Sequence, residues 1–191
     1  MNDLNEKILQ WAYDKGILAN GTPEGQLAKT LEELIETAQA VALYNSTVYE
    51  TEEKELHNDR LEQVKDGIGD VYVTLVIHAK MNGFMNIGIA FVAELPNKAA
   101  FEQLGKCVIG LATFPHWDTY AYANGILHKL AQNHGLILRE CVEHSYNVIA
   151  KRTGRIVDGV FVRDKACGNC RGIGSNGGDE VCQKCEGSGG N

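Results

Sequence analysis

The chain has 191 residues, and 44% of them are hydrophobic, enough apolar material for one packed domain and too much for wholesale disorder. Acids outnumber Lys and Arg by 25 to 18, a formal net charge of −7. That sign speaks against a general binder of nucleic-acid backbones, which needs a cationic surplus, but not against a small phosphorylated ligand held through a divalent cation. No apolar run approaches the ~20 residues that span a bilayer. The start, Met1 to Glu6, lacks the basic flank and apolar stretch of a signal peptide. A soluble, cytoplasmic protein with no membrane partner is expected.

In chain order, Leu4, Ile8, Leu9 and Trp11 recur at helical spacing and predict a helix over 4–15 that stops at Gly16. Thr22-Pro23-Glu24 is a helix start, with a capping hydroxyl, a proline in the first turn and an acid near the positive end. The helix should cover 24–44, with Leu27, Leu31, Leu34, Ile35, Ala38 and Val41 inward. Polar residues 45–54 read as a loop. A third helix over 54–80 should turn Leu56, Leu61, Val64, Ile68, Val71, Leu75 and Ile77 inward. Gly67 and Gly69 inside it cost roughly 1 kcal/mol each against Ala, which points to close packing. Gly83, Gly88 and Pro96 punctuate 82–98; helices are expected over 97–110, 117–134 and 136–152. Asp158-Gly159 between apolar pairs then marks a hairpin. The fold class is all-α, a helical bundle with a short β-hairpin and an appended tail.

Two helices carry acids on one face each. Glu33 and Glu36 are three apart, with Glu32 beside them; Glu62, Asp66 and Asp70 follow at steps of four. Packed antiparallel, these faces would meet across one groove. The carboxylates would repel unless a cation such as Mg²⁺, which takes oxygen ligands and keeps waters and phosphates in its shell, neutralised them.

The run Gln26-Leu-Ala-Lys29-Thr-Leu-Glu32-Glu33-Leu-Ile-Glu36, followed by Lys65-Asp66-Gly67-Ile68-Gly69-Asp70-Val71, resembles the MazG-like nucleotide pyrophosphohydrolases, all-α nucleoside triphosphate pyrophosphatases with EExxE on one helix and ExxD on the next. Residues 141–162, from Cys141 through Asn147, Lys151 and Arg152 to the hairpin, resemble the closing part of phage and prophage members. The likeness covers about 1–80 and 136–164, and about 82–134 reads as an insertion. Gly67 stands where the family has its Glu, and Asp66 is inferred to supply that carboxylate. The resemblance implies Mg²⁺-dependent hydrolysis of a (deoxy)nucleoside triphosphate to monophosphate and pyrophosphate, by a homodimer or homotetramer, in a host cytoplasm if phage-encoded. Glu33, Glu36, Asp66 and Asp70 would hold Mg²⁺, with Glu32 or Glu33 accepting the proton of the attacking water. Gln26 lies in the motif. Lys29, Lys151 and Arg152 would offset phosphate charge, Asn147 would bond phosphate or base, and Trp11 and Tyr72 would either stack on the base or, the favoured role for each, pack in the core. His78 and His144 read as ordinary helix residues. The alternative is a non-catalytic helical module that binds nucleotide or protein, with zinc as its interaction element.

Four of six cysteines, Cys167, Cys170, Cys182 and Cys185, fall in the last 25 residues as two CxxC pairs, so the chain divides into 1–165 and 166–191. Each turn can aim two thiolates at one ion, and two turns complete a tetrahedral, structural Zn²⁺ site with no open position. The repeated CxxCxGxG resembles the zinc region of DnaJ chaperones. No J-domain accompanies it, and Lys165, Arg171 and Lys184 as its only bases make nucleic acid an unlikely partner.

Overall fold

The computed structural model describes residues 1–46 and 54–164. They form α1 (Asn2–Asp14), α2 (Ile17–Asn20), α3 (Pro23–Asn45), α4 (Lys54–Met81), α5 (Asn97–Thr113), α6 (Trp117–Asn133) and α7 (Leu138–Ile149), then an antiparallel hairpin of β1 (Gly154–Val157) and β2 (Val160–Arg163). The described residues are mostly helical with one small sheet, as their periodicity predicts. Most of the expected 45–54 loop, and the whole Cys-containing tail with its boundary near Lys165, lie outside the described residues.

Local signals explain the elements. Thr22 caps α3, its hydroxyl accepting the Gly25 N–H at 3.0 Å, and Pro23 opens the helix. The hairpin turns through Asp158 and Gly159 at φ 49° and 79°, the positive angles that a tight two-residue turn requires. One short element was not expected. Gly16 adopts φ 71°, bends the chain beyond α1, and α2 follows.

The helix α4 packs against α1, α3, α6 and α7, and its Val64, Ile68, Val71 and Leu75 are buried. Three contacts show that α3 and α4 run antiparallel. Arg60 Nη1 donates to the Leu43 carbonyl at 2.7 Å, Gly67 lies against Thr37, and Gln26 Nε2 donates to the Thr74 carbonyl at 3.3 Å. The two glycines of α4 serve two different seams. A Cβ at Gly67 would stand 2.6 Å from Thr37 Oγ1 on α3. At Gly69 it would stand 2.1 Å from Ser145 Oγ and 2.3 Å from the Cys141 carbonyl on α7. Both approaches are possible only without a side chain.

Three residues assigned inward are not inside. Leu31 and Ile35 on α3 and Leu56 on α4 are exposed, Ile35 by 59%. The inward face of α3 is instead completed by Gln26, Thr30 and Thr37. The threonine hydroxyls bond the helix's own carbonyls, Thr30 to Gln26 at 3.1 Å and Thr37 to Glu33 at 2.6 Å, so their burial leaves no polar group unmet.

The span read as an insertion supplies a full share of the core: Leu104, Leu111, Tyr120, Ile126, Leu127 and Leu130 are all buried. Its glycine-punctuated first part is an extended strap over α6. The Ala90 N–H donates to the Ala121 carbonyl at 2.9 Å, and Asn124 Nδ2 donates to the Gly88 carbonyl at 2.7 Å. Gly125 gives it room, since a Cβ there would lie 2.3 Å from the Ala90 oxygen.

Candidate functional site

The antiparallel seam brings the two acidic faces together. Glu33 and Glu36 of α3 and Asp66 and Asp70 of α4 line one groove of about 260 Å³, with Gln39, Gln63 and Gly67. All four expected cation ligands are among its walls. Asp70 is only 8% exposed, and its Oδ1 is buried without a hydrogen-bond partner; so is Asp66 Oδ1. A buried carboxylate oxygen with nothing to accept from is costly. Burial, helped by Asp66 and Glu33 and opposed by Arg152, raises the Asp70 pKa to about 7. Burial also raises the Glu33 carboxyl above the usual range, against the pull of Lys29 and with a push from Glu36.

On the other side of Glu33 and Asp70 lies a narrow apolar nook of about 60 Å³. Its walls include Trp11, Ile17, Gln26, Val73, Ile77 and Phe161, with Lys29 and Arg152 as its cations. The Trp11 and Phe161 rings meet edge to face, centroids 5.8 Å apart. Trp11 Nε1 is buried without a partner. Lys29 Nζ lies 2.7 Å from Glu32 Oε2 and 3.6 Å from Glu33 Oε1. Burial works against its charge, but Glu32 and Glu33 outweigh burial and raise its pKa. Arg152 Nη2 lies 3.9 Å from Asp70 Oδ2.

Of the expected substrate-side residues, Trp11, Gln26, Lys29 and Arg152 line this nook, and four other expected site residues line neither cavity. Glu32 is exposed on the solvent side of Lys29 and lines neither cavity, so its assignment as a proton acceptor is not retained. Tyr72 is a core residue, 1% exposed, its hydroxyl bonding Asn5 Oδ1 at 3.0 Å, and it does not reach the nook. Asn147 and Lys151, one helical turn apart, both face solvent; Arg152, one step further round, turns inward.

His78 is a core residue, as expected: buried, 2.8 Å from the Tyr120 hydroxyl, its pKa lowered to about 4 by burial. His144 is more than an ordinary helix residue, its Nε2 lying 3.6 Å from Asp66 Oδ1 and its Nδ1 3.9 Å from Glu62 Oε2. Sequence reasoning missed Phe161 altogether. Its only signal was that the hairpin is apolar while its strands are too short to bury themselves.

The residues fit a divalent cation by chemistry: four carboxylates in one groove, two with buried, unmatched oxygens. As the side chains stand, no three His, Cys, Asp or Glu among the described residues meet at a common centre. Like charges keep apart, and Lys29 and Arg152 lie near two of the four.

No family model matches the chain, and no solved structure matches it. A protein of Haemophilus phage HP1 (strain HP1c1), named an uncharacterized 18.2 kDa protein in the rep-hol intergenic region, is 32% identical over 82 residues. The match takes in 43% of this chain and spans 41% of that protein's length. A phage protein is therefore similar to part of this chain. No helix among the described residues is long and apolar enough to cross a membrane.

Proposed function

We propose that the chain is a divalent-metal-dependent nucleoside triphosphate pyrophosphohydrolase of the MazG-like kind, acting on a nucleotide in the cytoplasm of a phage-infected or prophage-bearing host. The observation that supports this reading is the single groove lined by Glu33, Glu36, Asp66 and Asp70, with a buried oxygen lacking a hydrogen bond on each aspartate. These four side chains would hold magnesium. A bound ion there supplies an electrophile for phosphate oxygens and lowers the pKa of a water.

The chain's own residues do the rest. Lys29 and Arg152 bind and orient the triphosphate from the nook side and stabilise charge on the leaving pyrophosphate. Trp11 and Phe161 give the base an apolar wall, and Trp11 Nε1 offers it a donor. Glu33 borders both cavities, and burial raises its proton affinity, so it is placed to accept a proton from the attacking water. His144 steadies Asp66 from α7. The exposed Leu31, Ile35 and Leu43 of α3 are apolar surface that association into a homodimer or homotetramer would cover.

Asp66→Asn and Glu36→Gln should each lower pyrophosphate release from a panel of (d)NTPs with Mg²⁺ by about a hundredfold or more, the scale on which charge-stabilising groups act. Undiminished release in both variants would remove the metal site.

The tail carries a separate proposal. Cys167, Cys170, Cys182 and Cys185 bind one structural Zn²⁺, as the paired CxxC spacing supports. Reduced, dialysed protein should hold close to one zinc per chain. A ratio near zero in folded protein would refute it.

A further inference from the structure

We infer that the extended strap before α5 is a docking edge for a second copy of this chain, the two straps pairing antiparallel as neighbouring β-strands. The surface is distinct from the exposed residues of α3, and it does not depend on the pyrophosphohydrolase reading.

The strap alternates with the period of a strand. Ile89, Phe91 and Ala93 are exposed, while Ala90 and Val92 between them turn toward α6, where Gly125 makes room for both. The backbone alternates as well. The Ala90 N–H and the Gly88 carbonyl are bonded to α6, through the Ala121 carbonyl and Asn124 Nδ2. Residues of the other parity present their N–H and C=O to the opposite edge. Among the described residues, those of Ile89, Phe91 and Ala93 have no hydrogen-bond partner. Beside the strap runs a groove of about 400 Å³, walled by Ile89 and Phe91 and, on α6, by Gly125, His128 and Gln132. A strand added at the open edge would have α6 as its floor.

The edge carries none of the usual safeguards. Residues 84–93 contain no charged residue and no proline, and Glu94 and Pro96 follow only at the end of the run. Phe91 is 94% exposed and Ile89 60%. Strands that stay single are normally blunted by lysine, proline or a bulge, and a bare apolar edge invites another strand.

Charge and register name the occupant. Acids exceed Lys and Arg by 25 to 18, so two copies repel except across a stretch without charge, and residues 84–93 are such a stretch. A twofold axis at Phe91 lets the strap meet itself without conflict. The two Phe91 rings would stand side by side, and Ile89 of each copy would face the small Ala93 of the other. Glu94, already held by Lys129 Nζ at 3.0 Å, would fall opposite Gly88. No like charges are opposed in that register.

Hydrogen exchange and light scattering on the intact chain test the inference. The amides of Phe91 and Ala93, unpaired within one copy, should exchange about a hundredfold or more slower than open amides in concentrated protein, and should lose that protection on dilution. Phe91→Lys changes a side chain that one copy leaves in solvent, so folding does not depend on it. It should remove the protection and halve the mass of the assembly. Ala93→Pro, which deletes one N–H of the open edge, should do the same. A wild-type chain that stays a monomer when concentrated overturns the inference. So does an assembly whose Phe91 and Ala93 amides exchange freely, or whose mass Phe91→Lys leaves unchanged, since either result places the contact on another face.

Discussion

Asp70→Asn is expected to make the metal-free protein more stable above neutral pH while abolishing pyrophosphate release. The sign follows from where the carboxyl sits. Burial raises the folded pKa of Asp70 to about 7, from 3.8 when solvated. Between those values the unfolded chain has lost the proton and the folded chain still holds it. The folded state therefore loses stability as pH rises from about 4 through about 7, and carries the full penalty above that. A rise of that size corresponds to roughly 4 kcal/mol, with Arg152's attraction already included, and the amide recovers about that much. Chemical denaturation in chelator at pH 5 and pH 8 measures it. Wild type should weaken between the two, and Asp70→Asn should change much less. Added Mn²⁺ should restore wild type at pH 8 and leave the variant unmoved. Parallel pH dependences for the two proteins would show that Asp70 is not the strained group.

The second large effect is expected at a position with no chemistry. Gly69→Ala sets a methyl 2.1 Å from Ser145 Oγ and 2.3 Å from the Cys141 carbonyl, so α7 must move off α4. Overpacking of this kind costs about 3 kcal/mol, a fall in Tm of roughly 6–12 °C for a chain of this size. The displacement also carries Arg152 away from Asp70, so KM should rise more than kcat falls. Thermal unfolding together with steady-state kinetics separates the two effects. A Tm within a degree of wild type would mean that the helices do not meet as closely as they stand.

Much of this is readable in advance because it depends on spacing. The steps of three and four place Glu33, Glu36, Asp66 and Asp70 on facing sides, and the structure puts all four on one groove. Gly67 and Gly69 signal close packing, and each serves a different neighbour. Hydropathy misleads where burial is polar. Leu31 and Ile35 read as inward, but Thr30 and Thr37 take those places by bonding their own helix. Tyr72 reads either as a base platform or, preferably, as a core residue, and its buried partner, Asn5 on α1, decides for the core. The nook is illegible for a different reason. Phe161 meets Trp11 across nearly the whole chain, and no local pattern announces a contact of that span.

That span has a consequence for the order in which the molecule is made. The hairpin turn is clasped to the start of α3, where the Thr22 N–H donates to the Gly159 carbonyl at 3.0 Å, and it brings Phe161 onto Trp11. A chain emerging from a ribosome has every groove carboxylate in hand before Arg152 or Phe161 has been synthesised. Closing so long a loop is among the slower events of folding. The wall and the guanidinium that complete the nook thus arrive last, so a half-made chain, however well its early helices have paired, still lacks one side of the proposed pocket.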